Sequence, residues 1–220
     1  MSDQPVEDGR RALRPPARRA GRPAPALSAP QKLFVVTGPS GAGKGTLIKG
    51  LLERRSDLEL AVSATTRPRR PGEVEGTDYY FLSEEEFNRL VEAGEFLEYV
   101  TFLHQRSGTL FSELERIAKK GKACLLELEP TGALRVRDLV SGSVTIFVTA
   151  PIEELERRLR ERATESAGEI EERLKLAREH QQLAGEFDYV VVNDDVERAV
   201  DELDGIVTKE VQTTGRLSAT

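Results

Sequence analysis

Short apolar runs and helical stripes alternate along this chain. Residues 33–37 form a continuous apolar run of strand length, and 44–55 carry apolar positions at helical spacing. A second apolar stretch covers 58–63. It gives way to Ala64-Thr65-Thr66-Arg67-Pro68-Arg69-Arg70-Pro71-Gly72, where two prolines and a glycine rule out a long helix. The pattern predicts an exposed loop there, carrying three arginines. Tyr79, Tyr80 and Phe81 read as a short strand. Ser83 and Glu86 make an S-x-x-E capping box, Phe87, Leu90 and Val91 follow at helical spacing, and Gly94 ends the helix. Residues 95–102 alternate as a strand. Ser107-Gly108-Thr109 reads as a turn, followed by a helix to Lys120 and a stop at Gly121.

The second half continues the alternation. Residues 122–129 hold a buried-strand pattern, Ala123-Cys124-Leu125-Leu126, that ends in two acids, Glu127 and Glu129. A helix is predicted over 132–139, a buried strand over 144–148 and a strongly amphipathic helix over 152–162. Ser166 and Glu169 make a second capping box, opening a helix to about Ala184. Residues 189–192 are the last strand, ending in Asn193-Asp194-Asp195. Val196, Val200, Leu203 and Val207 mark a final helix, with fraying expected over 211–220.

Strands alternating with helices predict an α/β fold, a parallel sheet flanked by helices. Ligands of such folds gather at the carboxyl ends of the strands. Residues 38–46, the acids Glu127 and Glu129, and Asn193-Asp194-Asp195 all fall at such ends, around one site. The stretch over about 63–112 reads as smaller strands inserted into the alternation, a place for a second substrate. The folded domain is expected over 31–210.

Composition narrows the classes. Charged residues at 32% and hydrophobic ones at 38% describe a soluble globular protein, and no apolar run reaches the ~18 residues of a membrane span. A net charge of −6 argues against a general nucleic-acid binder. One cysteine, Cys124, excludes an internal disulfide and is compatible with a reducing cytoplasm. Two histidines and that cysteine give no zinc-ligand spacing. Residues 1–30 are rich in arginine, proline and alanine, without aromatics or periodicity, and read as a disordered basic tail. The tail is compatible with contacts to nucleic acid or acidic partners, with an inert extension and with a misassigned start codon. Asp3, Glu7 and Asp8 disfavour a transit peptide.

The chemistry concentrates in Gly38-Pro39-Ser40-Gly41-Ala42-Gly43-Lys44-Gly45-Thr46, between a strand and a helix. Its glycines let successive N–H groups turn into one concavity beside a helix N-terminus, which suits a polyphosphate. This is the P-loop pattern G-x-x-x-x-G-K-[ST] except at its last place, where Gly45 stands and Thr46 follows. Lys44 adds a charge for a transferring phosphoryl group, and Thr46 is a candidate for Mg²⁺, directly or through water. Arg67 and Arg70 offer guanidinium forks for a second phosphate, and Tyr79 a phenolic donor. The Glu98 carboxylate can accept two parallel N–H bonds such as those of guanine. Arg157, Arg158, Arg160, Arg162 and Arg173 form a late cluster from which spacing alone does not choose.

These motifs together resemble guanylate kinases over about residues 33–206. The strongest signals are Val36-Thr37-Gly38-Pro39-Ser40-Gly41, then 63–73 with Arg67 and Arg70, Gly76-Thr77-Asp78-Tyr79, Gly94-Glu95-Phe96-Leu97-Glu98 and Val192-Asn193-Asp194-Asp195. The resemblance implies a P-loop nucleoside-monophosphate kinase with a core, an acceptor-binding insertion and a helical lid over about 155–173. It implies transfer of the γ-phosphoryl of ATP to GMP, with Mg²⁺. It assigns Arg67, Arg70 and Tyr79 to the GMP phosphate, and Ser63, Glu98, Thr109 and Glu129 to guanine. It places Glu127 near the metal and gives Arg162 and Arg173, with Lys44 and Arg70, to the transferring group. A cytoplasmic enzyme with no membrane or specific nucleic-acid partner follows, and a homo-oligomer is compatible with the sequence.

Several positions depart from the family pattern. Ser107 stands where the family has tyrosine, which removes a phosphate hydrogen bond worth roughly 1.5–3 kcal/mol. Glu127-Leu128-Glu129 replaces Asp-x-Asp, Pro130 and Thr131 replace an apolar residue and glutamine, and Glu161-Arg162-Ala163 replaces Gly-Arg-Gly. Adenylate kinases similarly carry Gly-Lys-Gly-Thr, so Gly45 is compatible with catalysis. The departures keep open a related kinase with another phosphorylated acceptor. A non-catalytic module of the same fold is disfavoured, because Lys44, Arg67, Arg70 and Arg162 all remain.

Overall fold

A computed structural model describes residues 32–102, 105–161 and 167–217, without the side chains of 102, 167–170 and 214–217. The basic tail at 1–30, Arg162 and Ser166 lie outside the described residues. The elements in chain order are Leu33–Thr37 (β1), Lys44–Arg54 (α1), Leu58–Leu60 (β2), Ala64–Thr65 (β3), Tyr80–Phe81 (β4), Glu84–Ala93 (α2), Phe96–Phe102 (β5), Gln105–Leu110 (β6), Phe111–Lys119 (α3), Ala123–Glu127 (β7), Pro130–Leu139 (α4), Val144–Thr149 (β8), Ile152–Glu161 (α5), Ala167–Gln181 (α6), Tyr189–Val192 (β9) and Val196–Leu217 (α7).

Five strands pair in parallel in the order β2-β7-β1-β8-β9, with β1 at the centre. All five residues of β1 are buried, and they alternate between two cores. Phe34 and Val36 pack with Leu47 and Leu51 of α1 and with Val200 and Leu203 of α7. Leu33 and Val35 pack with Leu114 and Ile117 of α3 and with Ala133 and Val136 of α4. Covering both faces with helices lets a parallel sheet carry unbroken apolar strands. The expected α/β layers are therefore present, and they bring the carboxyl ends of β1, β7 and β8 side by side.

The insertion is a second sheet, in the order β4-β3-β6-β5. Its own core is small: Ala64, Phe87 and Phe96 are buried, with Tyr80 and Tyr99 packed against them. Phe87 and Phe96 stack at 4.4 Å between ring centroids, and the Arg106 guanidinium lies 4.2 Å over the Phe87 ring. The capping box at the start of α2 forms as predicted, with Ser83 and Glu86 bonded reciprocally, and Gly94 closes the helix at φ 72°.

Three expectations are corrected. Ala64 and Thr65 belong to a buried strand, so the exposed arginine loop starts only after them. Ser107-Gly108-Thr109 is the middle of β6 and not a turn. A Cβ on Gly108 would stand 2.5 Å from the Glu98 carbonyl oxygen, so this glycine marks close approach of two strands. The last helix runs on to Leu217, past the boundary at 211, because Val211 continues the apolar stripe and packs against the core.

Candidate active site

The half expected to take the donor is built from backbone. At Gly38 (φ 138°) a Cβ would lie 1.9 Å from the Val148 carbonyl oxygen, and at Gly43 (φ 85°) one would lie 2.3 Å from Asn193 Nδ2. Only glycine fits these two corners, which turn the loop into the N-terminus of α1. The first turn of α1 holds no acid, so nothing there competes with an anion. Lys44 Nζ donates to the carbonyl oxygens of Gly38 (2.8 Å) and Pro39 (3.2 Å) and so spans the mouth of the loop. Gly45 and Thr46 are exposed on that first turn, and a Cβ on Gly45 would meet nothing within 4 Å.

Two side chains brace this loop from behind. Buried Asn193 donates Nδ2 to the Ala42 carbonyl oxygen at 2.7 Å. Arg158 donates to the carbonyl oxygens of Asn193 (3.2 Å) and Gly41 (3.5 Å), and Glu154 holds its Nε at 2.7 Å. The structure thus separates the late arginines. Arg157 and Arg160 pair with glutamates of their own helix, whereas Arg158 crosses to the loop. Half-buried Arg173 lies on α6. Asp194 and Asp195, grouped with the site by sequence, turn away: Asp194 pairs with Arg198, and Asp195 accepts the Arg198 N–H at the start of α7.

Glu127 ends β7 in register with Val36 of β1, next to the loop. It is solvent-accessible, yet the surrounding walls strip enough water to hold its carboxyl above the usual range. Lys44 pulls it down and Glu129 pushes it up. A mostly apolar recess of about 400 Å³ lies beside it, between α1 and Leu60. It contains none of the arginines assigned to phosphate.

The half expected to take the acceptor is built from side chains. Arg67 makes a two-pronged pair with Glu73 (2.6 and 3.1 Å), and its guanidinium lies 5.3 Å from the Tyr79 ring centroid. Glu73 also accepts the Arg70 N–H at 2.7 Å, so one carboxylate ties the loop together while the Arg70 side chain stays exposed. Half-buried Ser63 accepts the Tyr80 N–H at its carbonyl. Ser107 donates to Thr65 Oγ1 at 3.1 Å.

Glu98 is 6% exposed, and one of its oxygens accepts both the N–H (3.0 Å) and the hydroxyl (3.1 Å) of Thr109. A Cβ on Gly132 would stand 3.2 Å from its other oxygen, so the carboxylate reaches the first turn of α4. Burial pushes its carboxyl up to about 7, against the Thr109 bonds and Arg135. Glu129 is the N-cap residue of the same helix and is largely exposed. Buried Glu113 joins the two sheets. It accepts from the Val62 N–H (2.9 Å), the Tyr80 hydroxyl (2.8 Å) and Arg116, and these bonds hold it below the usual range in spite of burial. Sequence reading passed over Glu113, and only its helical spacing from Arg116 hinted at the pair.

Among the described residues no group of three His, Cys, Asp or Glu side chains could hold a metal. No helix among them is long and apolar enough to cross a membrane.

A family model described as guanylate kinase matches residues 30–210. The guanylate kinase of a Synechococcus species is 44% identical over 197 residues, 89% of this chain and 86% of the relative. That of Parasynechococcus marenigrum is 47% identical over 80% of this chain and 97% of its own. A crystal structure of guanylate kinase from Anaplasma phagocytophilum superposes with a TM-score of 0.67 at 34% identity, covering 82% of this chain and 86% of that one.

Proposed function

The chain belongs to the guanylate kinase family, and we propose that it transfers the γ-phosphoryl of ATP to GMP, giving ADP and GDP. It is an ATP-dependent nucleoside-monophosphate kinase. The observation that carries the choice of acceptor is the buried Glu98 carboxylate, backed by Thr109 of β6 and set against the first turn of α4. As an anion it accepts the N1–H and 2-amino N–H of guanine together; adenine offers no such pair.

In the reaction the P-loop N–H groups and Lys44 hold the donor phosphates. Arg67, Arg70 and Tyr79 hold the GMP phosphate, with Ser63 and Glu129 completing the acceptor site. A GMP phosphate oxygen attacks the γ-phosphorus in line, the bond to the β–γ bridging oxygen breaks, and ADP leaves. Arg162 and Arg173, on a lid over about 155–173, neutralise the charge that spreads in the transition state. Lid closure excludes water and suppresses ATP hydrolysis. Thr46 and Glu127 would hold Mg²⁺ with the phosphates, and the ion would supply neutralisation of their charge. Arg67 reaches a phosphate by exchanging one oxyanion, the Glu73 carboxylate, for another. We place the activity in the cytoplasm.

Coupled ADP release with GMP, dGMP, IMP and AMP is the test. GMP is expected to give the highest kcat/KM, with IMP weaker for want of the 2-amino group. Folded protein that forms no ADP in response to millimolar GMP would refute this reading, and a clear preference for another phosphorylated acceptor would replace it.

A further inference from the structure

His180 closes the α6 side of the cleft without a role so far. It stands seven residues past Arg173, two helical turns on, and therefore on the same stripe of α6. One turn earlier, Ala177 is buried in the main core. One residue later, Gln181 donates to Thr149 Oγ1 (3.1 Å) and the Ala150 carbonyl oxygen (2.9 Å) at the carboxyl end of β8. The imidazole is thus fixed over the strand ends, and only 13% of its side chain is exposed.

Its Nδ1 is buried and has no hydrogen-bond partner among the described residues. That atom faces Glu129 Oε2 at 3.9 Å, about 1 Å too far for a hydrogen bond. Burial lowers the imidazole's affinity for a proton. Glu129 and Glu179 oppose this and Lys44 adds to it, which leaves a neutral ring carrying one N–H. A buried unpaired polar atom is costly, so its pairing favours whichever arrangement of the cleft brings the two groups together.

We propose that His180 is a positioning residue for the acceptor: when the cleft closes, Nδ1–H donates to Glu129 and fixes that carboxylate beside the acceptor base. This rests on the kinase reading above. Glu129 is otherwise an exposed, rotatable side chain at a helix cap. Holding it removes the entropy it would lose on binding the acceptor.

The test compares His180→Asn, which keeps an N–H near the position of Nδ1, with His180→Leu, which has similar size and no donor. His180→Leu is expected to raise KM for GMP about tenfold, leaving kcat and KM for ATP within about twofold. His180→Asn is expected to restore KM for GMP to within about twofold of the parent. In a Glu129→Met background, which removes the acceptor oxygens, His180→Leu should have no further effect. An unchanged KM in His180→Leu, a raised KM that asparagine does not rescue, or additivity with Glu129→Met would each overturn the proposal. Should the leucine variant fail to fold, His180→Ala is read against His180→Asn in the same way. Failure of the parent enzyme to phosphorylate GMP would overturn the kinase reading instead, so the two outcomes are distinct.

Discussion

The donor half and the acceptor half of this cleft are made differently. The donor loop is backbone, nine consecutive residues clamped between β1 and α1 at the centre of the main sheet, with Asn193 and Arg158 bonded behind it. The acceptor half draws side chains from β5, β6, α4 and the loop after β3, over a small core that holds Ala64, Phe87 and Phe96. One half is preorganised by packing. The other is held by ion pairs that must rearrange, since Arg67 is occupied by Glu73 and Glu98 is buried with a raised pKa. On the proposed assignment, donor binding is expected to resist local damage, while acceptor binding depends on small energies at several separate points.

The strongest challenge to this contrast is Phe87→Ala. Phe87 is fully buried and stacks on Phe96, so its truncation is expected to cost about 3–5 kcal/mol, a large part of a domain's ~5–15 kcal/mol. Urea unfolding should show the acceptor sheet melting first, with ATP affinity by calorimetry preserved. Equal loss of ATP binding would show that the halves are not independent.

Next in size is Lys44→Ala. Its ammonium hydrogen-bonds the carbonyls of its own loop, so stability should hardly change while kcat falls about 10²–10³-fold. A melting temperature lowered together with the rate would instead make Lys44 structural.

Glu98→Gln is expected to raise KM for GMP by about 10- to 100-fold, the worth of a hydrogen bond to a charged group, with KM for ATP unchanged. Its pH dependence has a definite sign. Glu98 titrates near 7 when folded and near 4.5 when unfolded, so the folded state binds the extra proton between those values. Stability from this group therefore falls as pH rises from about 4.5 to 7, by an amount on the order of 3 kcal/mol. Acceptor binding moves the opposite way, because guanine requires the anion: KM for GMP should rise as pH falls below about 7. Both trends should vanish in Glu98→Gln, and a parental pH profile in that variant would assign them to another group.

The smallest effect is expected from Gly45→Ser. A Cβ there has open space, and replacing glycine in a helix by serine contributes about 0.5 kcal/mol. The added hydroxyl should lower the Mg²⁺ concentration for half-maximal rate about twofold. A higher requirement would show that Thr46 already fills that role and is displaced.

Legibility followed the same division. The P-loop could be read because its requirements are local: glycine at forced turns, lysine at the helix start, an apolar strand before it. The capping box at Ser83 and the stop at Gly94 were legible for the same reason. Gly108 misled, because a glycine between serine and threonine signals a turn unless another backbone lies against it, and that backbone belongs to β5.

The amino-acid order by itself determined the alternation of strands and helices and the glycine-rich turn between β1 and α1, since each depends on periodicity or on neighbours within a few residues. Tertiary structure decided what long-range contact decides. It chose Arg158 over Arg157 and Arg160, kept Asn193 and turned Asp194 and Asp195 away. It also buried Glu98 against α4 and set the unpaired Nδ1 of His180 opposite Glu129. A side chain's charge state and partner depend on the water removed around it by segments far away in sequence, and that exclusion exists only once the two sheets have packed.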